Sequence, residues 1–289
     1  MAEPDAARSP AVGGPLAIDA GGVTLAGEQV GEGKPIVLLH GLTATRRYVV
    51  MGSRALERSG HRVLAYDARG HGGSSPPPDS SDYGYERLAE DLEVVLDALA
   101  IQRAVLAGAS MGAHTAVRLA LTRPERVAAL ALITPSFDPG SPRDEHELAR
   151  WDALAQGLRD GGVEGFVRAY DLDEVPPAWR ETVEKVLRQR LGAHEHPLAV
   201  ADALEVVPRS RPFEGFEQLG AIGVPTVIVG SRDEADPGHP LAVAERYCQA
   251  IGGATLVVED AGPRARSPIA WQGGQLSRVI AELAGRSAP

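Results

Sequence analysis

The sequence predicts an α/β protein with a mostly parallel central sheet, helices on both faces, and one helical interruption. Three observations carry this. Short, nearly continuous apolar runs recur along the chain, as expected of strands covered on both faces. Segments with apolar residues at helical spacing lie between them, and such alternation builds a parallel sheet. The alternation then lapses between Ser136 and about Gly215 and resumes at Pro225.

Taken in order, residues 1–13 read as a loose tail. The first clear strand is Ile36–His40, followed by Arg62–Asp67. In Glu86–Ala100, Leu88, Leu92, Val95, Leu96 and Leu99 form one apolar stripe of a helix. A third strand, Ala104–Gly108, runs through a short turn into a helix over Ala113–Leu121, and a fourth spans Val127–Thr134. The stretch after Ser136 holds no clear strand. It carries helical patterns such as Glu181–Leu191, broken at Pro139, Pro142, Gly161-Gly162 and Pro176-Pro177. Strands Pro225–Gly230 and Ala254–Glu259 complete the pattern. We therefore expect a core of residues 14–135 and 216–289. Residues 136–215 form either a helical cap over the C-terminal sheet edge, where small molecules bind in open α/β sheets, or additional core helices.

Composition narrows the function classes. The 289 residues can bury a sizeable core. Acids outnumber bases 39 to 29, giving a formal charge of −10, and no basic run suggests nucleic acid. No apolar run approaches the roughly 18 residues of a membrane span. The single cysteine, Cys248, excludes an intrachain disulfide and fits a reducing cytoplasm. The first residues lack the apolar region of a secretory signal. The composition leaves a homo-oligomer open.

The chemistry concentrates at Gly108-Ala-Ser110-Met-Gly112, a G-x-S-x-G pattern between a strand and a helix. A serine there sits at the tip of a tight turn, with small flanking residues letting strand and helix pass closely. The helix start supplies free N–H groups suited to a developing oxyanion. His40-Gly41-Leu42 follows the first strand, and Asp67-Ala-Arg69-Gly70-His71-Gly72-Gly-Ser74 follows the second.

Together these segments resemble the α/β-hydrolase family, in its cap-bearing serine esterase and lactonase branch. The resemblance covers nearly the whole chain outside the cap. It implies that Ser110 is the nucleophile, that the N–H groups of Leu42 and Met111 form the oxyanion hole, and that His40 and His71 are scaffold. Gly230-Ser-Arg-Asp233-Glu-Ala-Asp236-Pro237 is similar to the family's acid loop and puts Asp233 in the acid position. A serine argues against the dehalogenase and epoxide-hydrolase branches, which generally use aspartate there.

The sequence departs from the family at the base. The family's histidine follows the last strand directly after a glycine, but here Gly262 is followed by Pro263, and no histidine occurs after His239. A serine hydroxyl without a base is a weak nucleophile. His239, on the acid loop, can serve as base, with Asp233 or the alternative acid Asp138 orienting it, or it is a surface histidine. Otherwise the fold serves as a non-hydrolytic binding protein, or runs lyase-type chemistry needing only the hole and the pocket. His114 reads as packed and His61 as remote. His194-Glu-His196 reads as a solvated turn without a third metal ligand. Cys248 reads as a packed thiol, Arg264 and Arg266 as solvated or anion-contacting, and Trp151 and Trp179 as pocket lining or cap anchors. Neither cofactor nor metal is expected, and the partner expected is a small-molecule substrate.

Overall fold

A computed structural model describes residues 13–141, 145–259, 271 and 273–287. Eight strands form one sheet: β1 (Gly14–Asp19), β2 (Thr24–Val30), β3 (Lys34–Leu39), β4 (His61–Tyr66), β5 (Ala104–Ala109), β6 (Val127–Ile133), β7 (Thr226–Gly230) and β8 (Thr255–Val258). Their order is β1-β2-β4-β3-β5-β6-β7-β8. The pairs from β4 to β8 are parallel, and β1 and β2 add an antiparallel edge.

The register aligns the strand ends. Leu39 lies beside Gly108, Ile133 beside both Ala109 and Val229, and Gly230 beside Val258. The C-terminal ends of β3, β5, β6, β7 and β8 therefore form one continuous edge, from which every functional loop departs.

The central strands are apolar throughout because both of their faces are covered. Val37, Leu39, Ala104 and Leu106 join one core cluster. It includes Leu92, Val95 and Leu96 of helix α2 (Tyr85–Ala98), which follows the short α1 (Ala55–Arg58), and Ala113, Ala116 and Val117 of α3 (Met111–Thr122). Their alternates Ile36, Leu38, Val105 and Ala107 face the opposite cluster, with Leu276, Ile280 and Leu283 of the helix Gly273–Arg286. Strand periodicity of two sorts adjacent residues onto opposite faces.

Between β6 and β7 the described residues contain no strand. They hold α4 (Glu145–Ala169), interrupted by non-helical Gly161 and Gly162, then α5 (Arg180–Leu191) and α6 (Pro197–Val206). A third cluster unites these helices with the core. Leu158, Phe166, Leu187 and Leu204 pack in one group with Leu42, Ala68, Met111 and Ala235. The helical segment thus rests its apolar face on loops leaving the C-terminal edge.

Candidate active site

The site begins at a strained turn. β5 ends at Ala109 and α3 begins at Met111, and Ser110 between them has φ 49° and ψ −113°. That backbone is costly for an L-residue and persists only where its surroundings enforce it. Here they do. The Ser110 N–H donates to the Ile133 carbonyl at 3.0 Å, and the Ser110 carbonyl accepts from the His114 N–H at 3.1 Å. A Cβ at Gly108 would lie 2.2 Å from the Gly112 oxygen, and one at Gly112 would lie 2.2 Å from the Leu39 oxygen. Glycine at both positions is what lets strand and helix close on the turn.

The loop after β3 runs beside this turn. A Cβ built on Gly41 would stand 3.6 Å from Ser110 Cβ. Met111 is the first residue of α3, so its N–H has no acceptor within the helix.

Buried polar groups hold that loop. The Ala68 N–H donates to His40 Nε2 at 2.9 Å, leaving Nδ1 to donate to the Gly41 carbonyl at 2.8 Å. Burial, then the neighbouring His71, lowers the His40 pKa to about 4. His71 Nε2 lies 2.7 Å from the Leu42 carbonyl, and burial lowers its pKa as well. The buried Asp67 accepts from the Arg46 N–H at 2.8 Å and from the Gly73 N–H at 3.1 Å, and pairs with the Arg46 guanidinium.

His194 departs from expectation. It is not in a solvated turn but buried, accepting the Gly72 N–H at 2.8 Å through Nδ1 and facing the Thr43 carbonyl at 3.3 Å through Nε2. Burial, then His71, depresses its pKa to about 3. It joins the helical segment to the 40–45 loop as a neutral bridge. Nothing in the short motif His194-Glu-His196 signals this, because both partners are backbone atoms more than a hundred residues away.

His114 cannot serve as a base either. Ser136 N–H and Phe137 N–H both donate to its Nε2 at 3.1 Å, and Nδ1 faces the Tyr85 hydroxyl at 3.0 Å. His61 Nδ1 lies 3.3 Å from the Ser59 hydroxyl, at the start of β4 and so at the opposite sheet edge.

His239 has a different arrangement from the others. Its Nδ1 lies 2.8 and 2.9 Å from the two carboxylate oxygens of Asp236, and among the described residues its Nε2 has no hydrogen-bond partner. Burial works against a charged ring, but Asp236 outweighs it and raises the His239 pKa above its ordinary value. This corrects the expected pairing, since Asp236 holds the imidazole rather than Asp233 or Asp138. Asp233 caps its own loop, accepting the Ala235 N–H at 2.9 Å, and burial raises its pKa to about 6. Asp138 is bound to the Arg246 guanidinium. The signal that could have pointed to Asp236 is its place three residues before His239, whereas the family position points to Asp233.

Among the described residues, no imidazole hydrogen-bonds to Ser110 Oγ. Pro263, Arg264 and Arg266 lie outside the described residues. Within those residues, no group of three or more His, Cys, Asp or Glu side chains could hold a metal ion, and no helix is long and apolar enough to cross a membrane.

A strand–serine–helix turn facing a strand-end glycine loop, on a sheet of this order, defines an α/β-hydrolase-type enzyme. The chain belongs to that family: residues 34–187 match the model described as alpha/beta hydrolase fold. It is 31% identical over 205 residues to a Variovorax paradoxus protein named "Putative carbamate hydrolase RutD", covering 71% of this chain and 75% of the relative. A Pseudomonas aeruginosa hydrolase of solved structure is similar at TM-score 0.68 and 30% identity, covering 86% of this chain and 90% of that one. The enol-lactonase from Burkholderia xenovorans is similar at TM-score 0.72 and 25% identity, covering 94% and 100%.

Proposed function

We propose that this enzyme is a serine hydrolase of small carboxylic esters, lactones or related carbonyl compounds such as carbamates. The observation that carries this reading is Ser110, held at positive φ on a turn that touches the Gly41–Leu42 loop. The names of two relatives, a carbamate hydrolase and an enol-lactonase, lend it support.

In this mechanism His239 Nε2 takes the Ser110 proton as Oγ bonds to the substrate carbonyl carbon. The carbonyl π electrons move onto oxygen, and the N–H groups of Leu42 and Met111 hold that oxyanion. Such donors contribute on the order of 3 kcal/mol each. Collapse expels the leaving group, which takes the proton from His239. Water then hydrolyses the acyl-Ser110 by the same steps. Asp236 binds Nδ1, keeping Nε2 as the working atom and stabilising the imidazolium, the role an acid plays in a Ser-His-Asp triad. The segment 136–215 is the cap that roofs the substrate, and the reaction needs no cofactor. A cytoplasmic setting accords with the single cysteine.

The test is hydrolysis of a short p-nitrophenyl ester. We expect S110A to abolish turnover and H239A to lower kcat by about 10²–10⁴-fold. Undiminished turnover in H239A removes His239 from the mechanism.

A second reading, a non-hydrolytic binding protein, is favoured by the lack of an imidazole bonded to Ser110 Oγ among the described residues. Labelling by a fluorophosphonate decides between the two: rapid, stoichiometric modification of Ser110 excludes it, and absence of labelling supports it.

A further inference from the structure

Arg190 has a half-buried guanidinium whose placement no ion pair among the described residues accounts for. It occupies the last turn of α5. Its Nε is buried without a hydrogen-bond partner, and among the described residues no carboxylate lies within ion-pair distance of its guanidinium. This contrasts with its neighbours on the same helix, Arg180 and Arg188, which pair with Asp173 and with Glu164 and Glu184. Arg190 instead meets an aromatic face: its Cζ stands 5.5 Å from the centroid of the Tyr48 ring. A guanidinium stacked on an aromatic ring keeps its N–H fork free for a planar anion.

The surroundings locate that fork. Tyr48 is on the loop leaving β3, eight residues after His40. Asp236 and His239 are on the loop leaving β7, and the Arg190 charge acts on both and on Tyr170 after α4. β5, which carries Ser110, lies between β3 and β7 in the sheet. The guanidinium is thus stacked on one loop flanking the serine strand, and its charge is felt on the other.

Resting on the hydrolase reading, we propose that Arg190 is the subsite for a carboxylate carried by the substrate at a distance from the scissile carbonyl, so that the preferred substrates are half-esters or carboxylate-bearing lactones. The carboxylate would accept two N–H bonds from the guanidinium fork, with Tyr48 as its backing wall. The nearby Asp236 is bound to His239 Nδ1 and forms no ion pair with the guanidinium. Arginine suits this role where lysine would not, since it offers two parallel bonds to one carboxylate.

The experiment compares p-nitrophenyl butyrate with mono-p-nitrophenyl succinate, glutarate and adipate. In the wild-type protein we expect kcat/KM to favour one of the anionic esters over butyrate. This ratio should fall about tenfold or more in R190M, mainly through KM, fall less in R190K, and decline with added salt. Because Arg190 Nε has no partner to orphan, R190M should fold; R190Q and the wild-type salt series provide the same readout if it does not. An unchanged ratio in R190M overturns the proposal. So does an equal loss on neutral and anionic esters with a shifted pH profile, which would make Arg190 a charge tuning the His239–Asp236 pair. Calorimetric titration of S110A with glutarate separates this proposal from the hydrolase reading. If no ester turns over but glutarate binds and R190M abolishes that binding, the subsite stands and the hydrolase reading falls. Failure of glutarate to bind at millimolar concentration overturns the subsite.

Discussion

At the residue scale, two acids three positions apart on one loop have been given different tasks by their surroundings. Asp236 faces an imidazole. Burial opposes its ionisation, yet the paired His239 holds its carboxyl below the usual range. Among the described residues Asp233 pairs with no cation, and burial, aided by the charges of Asp236, Glu259 and Glu234, raises it to about 6 against an ordinary value of 3.8. The consequences differ in sign. A base must be neutral to act, and the His239 pKa is raised above 6.5. The acidic limb of kcat/KM for a neutral ester should therefore rise with an apparent pKa above 6.5, and in D236N it should move to lower pH as the rate falls. A pH–rate profile of the two proteins checks this; a wild-type limb below 6.5 assigns the base elsewhere. For Asp233 the folded state binds its proton more tightly than the unfolded chain, so stability is lost as pH climbs from about 4 to 6. D233N, which keeps the oxygen that accepts the Ala235 N–H, should raise Tm at pH 7.5, with the gain vanishing near pH 3.5. A scanning calorimetry series reads the difference.

At the element scale, the loop that follows β3 is fixed mainly from outside itself. Gly72, at φ 50°, lies so close to Asp67 that a Cβ would stand 2.1 Å from its carboxylate. Asp67 in turn pins Arg46 in the adjacent loop. The same motif secures α2. Arg69 Nε donates to Asp91 Oδ2 at 2.7 Å and its Nη2 to Oδ1 at 2.6 Å, with both side chains buried. Breaking such a pair strands a charge and typically costs 3–5 kcal/mol. We expect R69M to lose about that much stability in urea unfolding. We expect R69M/D91L, which removes both charges, to recover most of it, and no recovery would mean that the lost packing, not the stranded charge, sets the cost.

How much of this was legible beforehand depended on how local the signal was. The central strands were readable to within one or two residues because burial on both faces leaves a continuous apolar run. β1 and β2 were not, because they form the antiparallel edge. Their exposure alternates: in β2, Leu25 and Gly27 are buried, whereas Thr24 is exposed and Ala26 and Glu28 are half-buried. Runs such as Gly-Pro-Leu-Ala-Ile-Asp do not stand out from loop. The elbow was legible because Gly108, Ser110 and Gly112 are adjacent in sequence. The His194 bridge and the bare Arg190 fork were not, since each is defined by partners from distant loops.

At the scale of the whole molecule, the helical segment and the core share apolar surface. Leu42, Ala68, Tyr85, Leu88, Met111 and Ala235 of the core bury themselves in one cluster with residues of α4, α5 and α6. Removing the segment would expose that surface as one patch, and a patch of this kind drives association. We predict that replacing residues 140–212 by a short Gly-Ser linker gives aggregated protein in size-exclusion chromatography, not an open monomeric esterase. A monodisperse product with a cooperative melt would show that the segment is an independent lid.

The sequence by itself determined the α/β scaffold, the strained serine turn and the glycines that permit it, because periodicity and close approach are written in neighbouring residues. Only the tertiary structure decided that Asp236 rather than Asp233 holds His239, that His194 ties the helical segment to the loop after β3, and that Arg190 lacks a carboxylate partner among the described residues. The physical reason is that a hydrogen bond or an ion pair depends on atoms within about 3–4 Å, and which atoms come that close across loops from different strands is set by packing, not by their order along the chain.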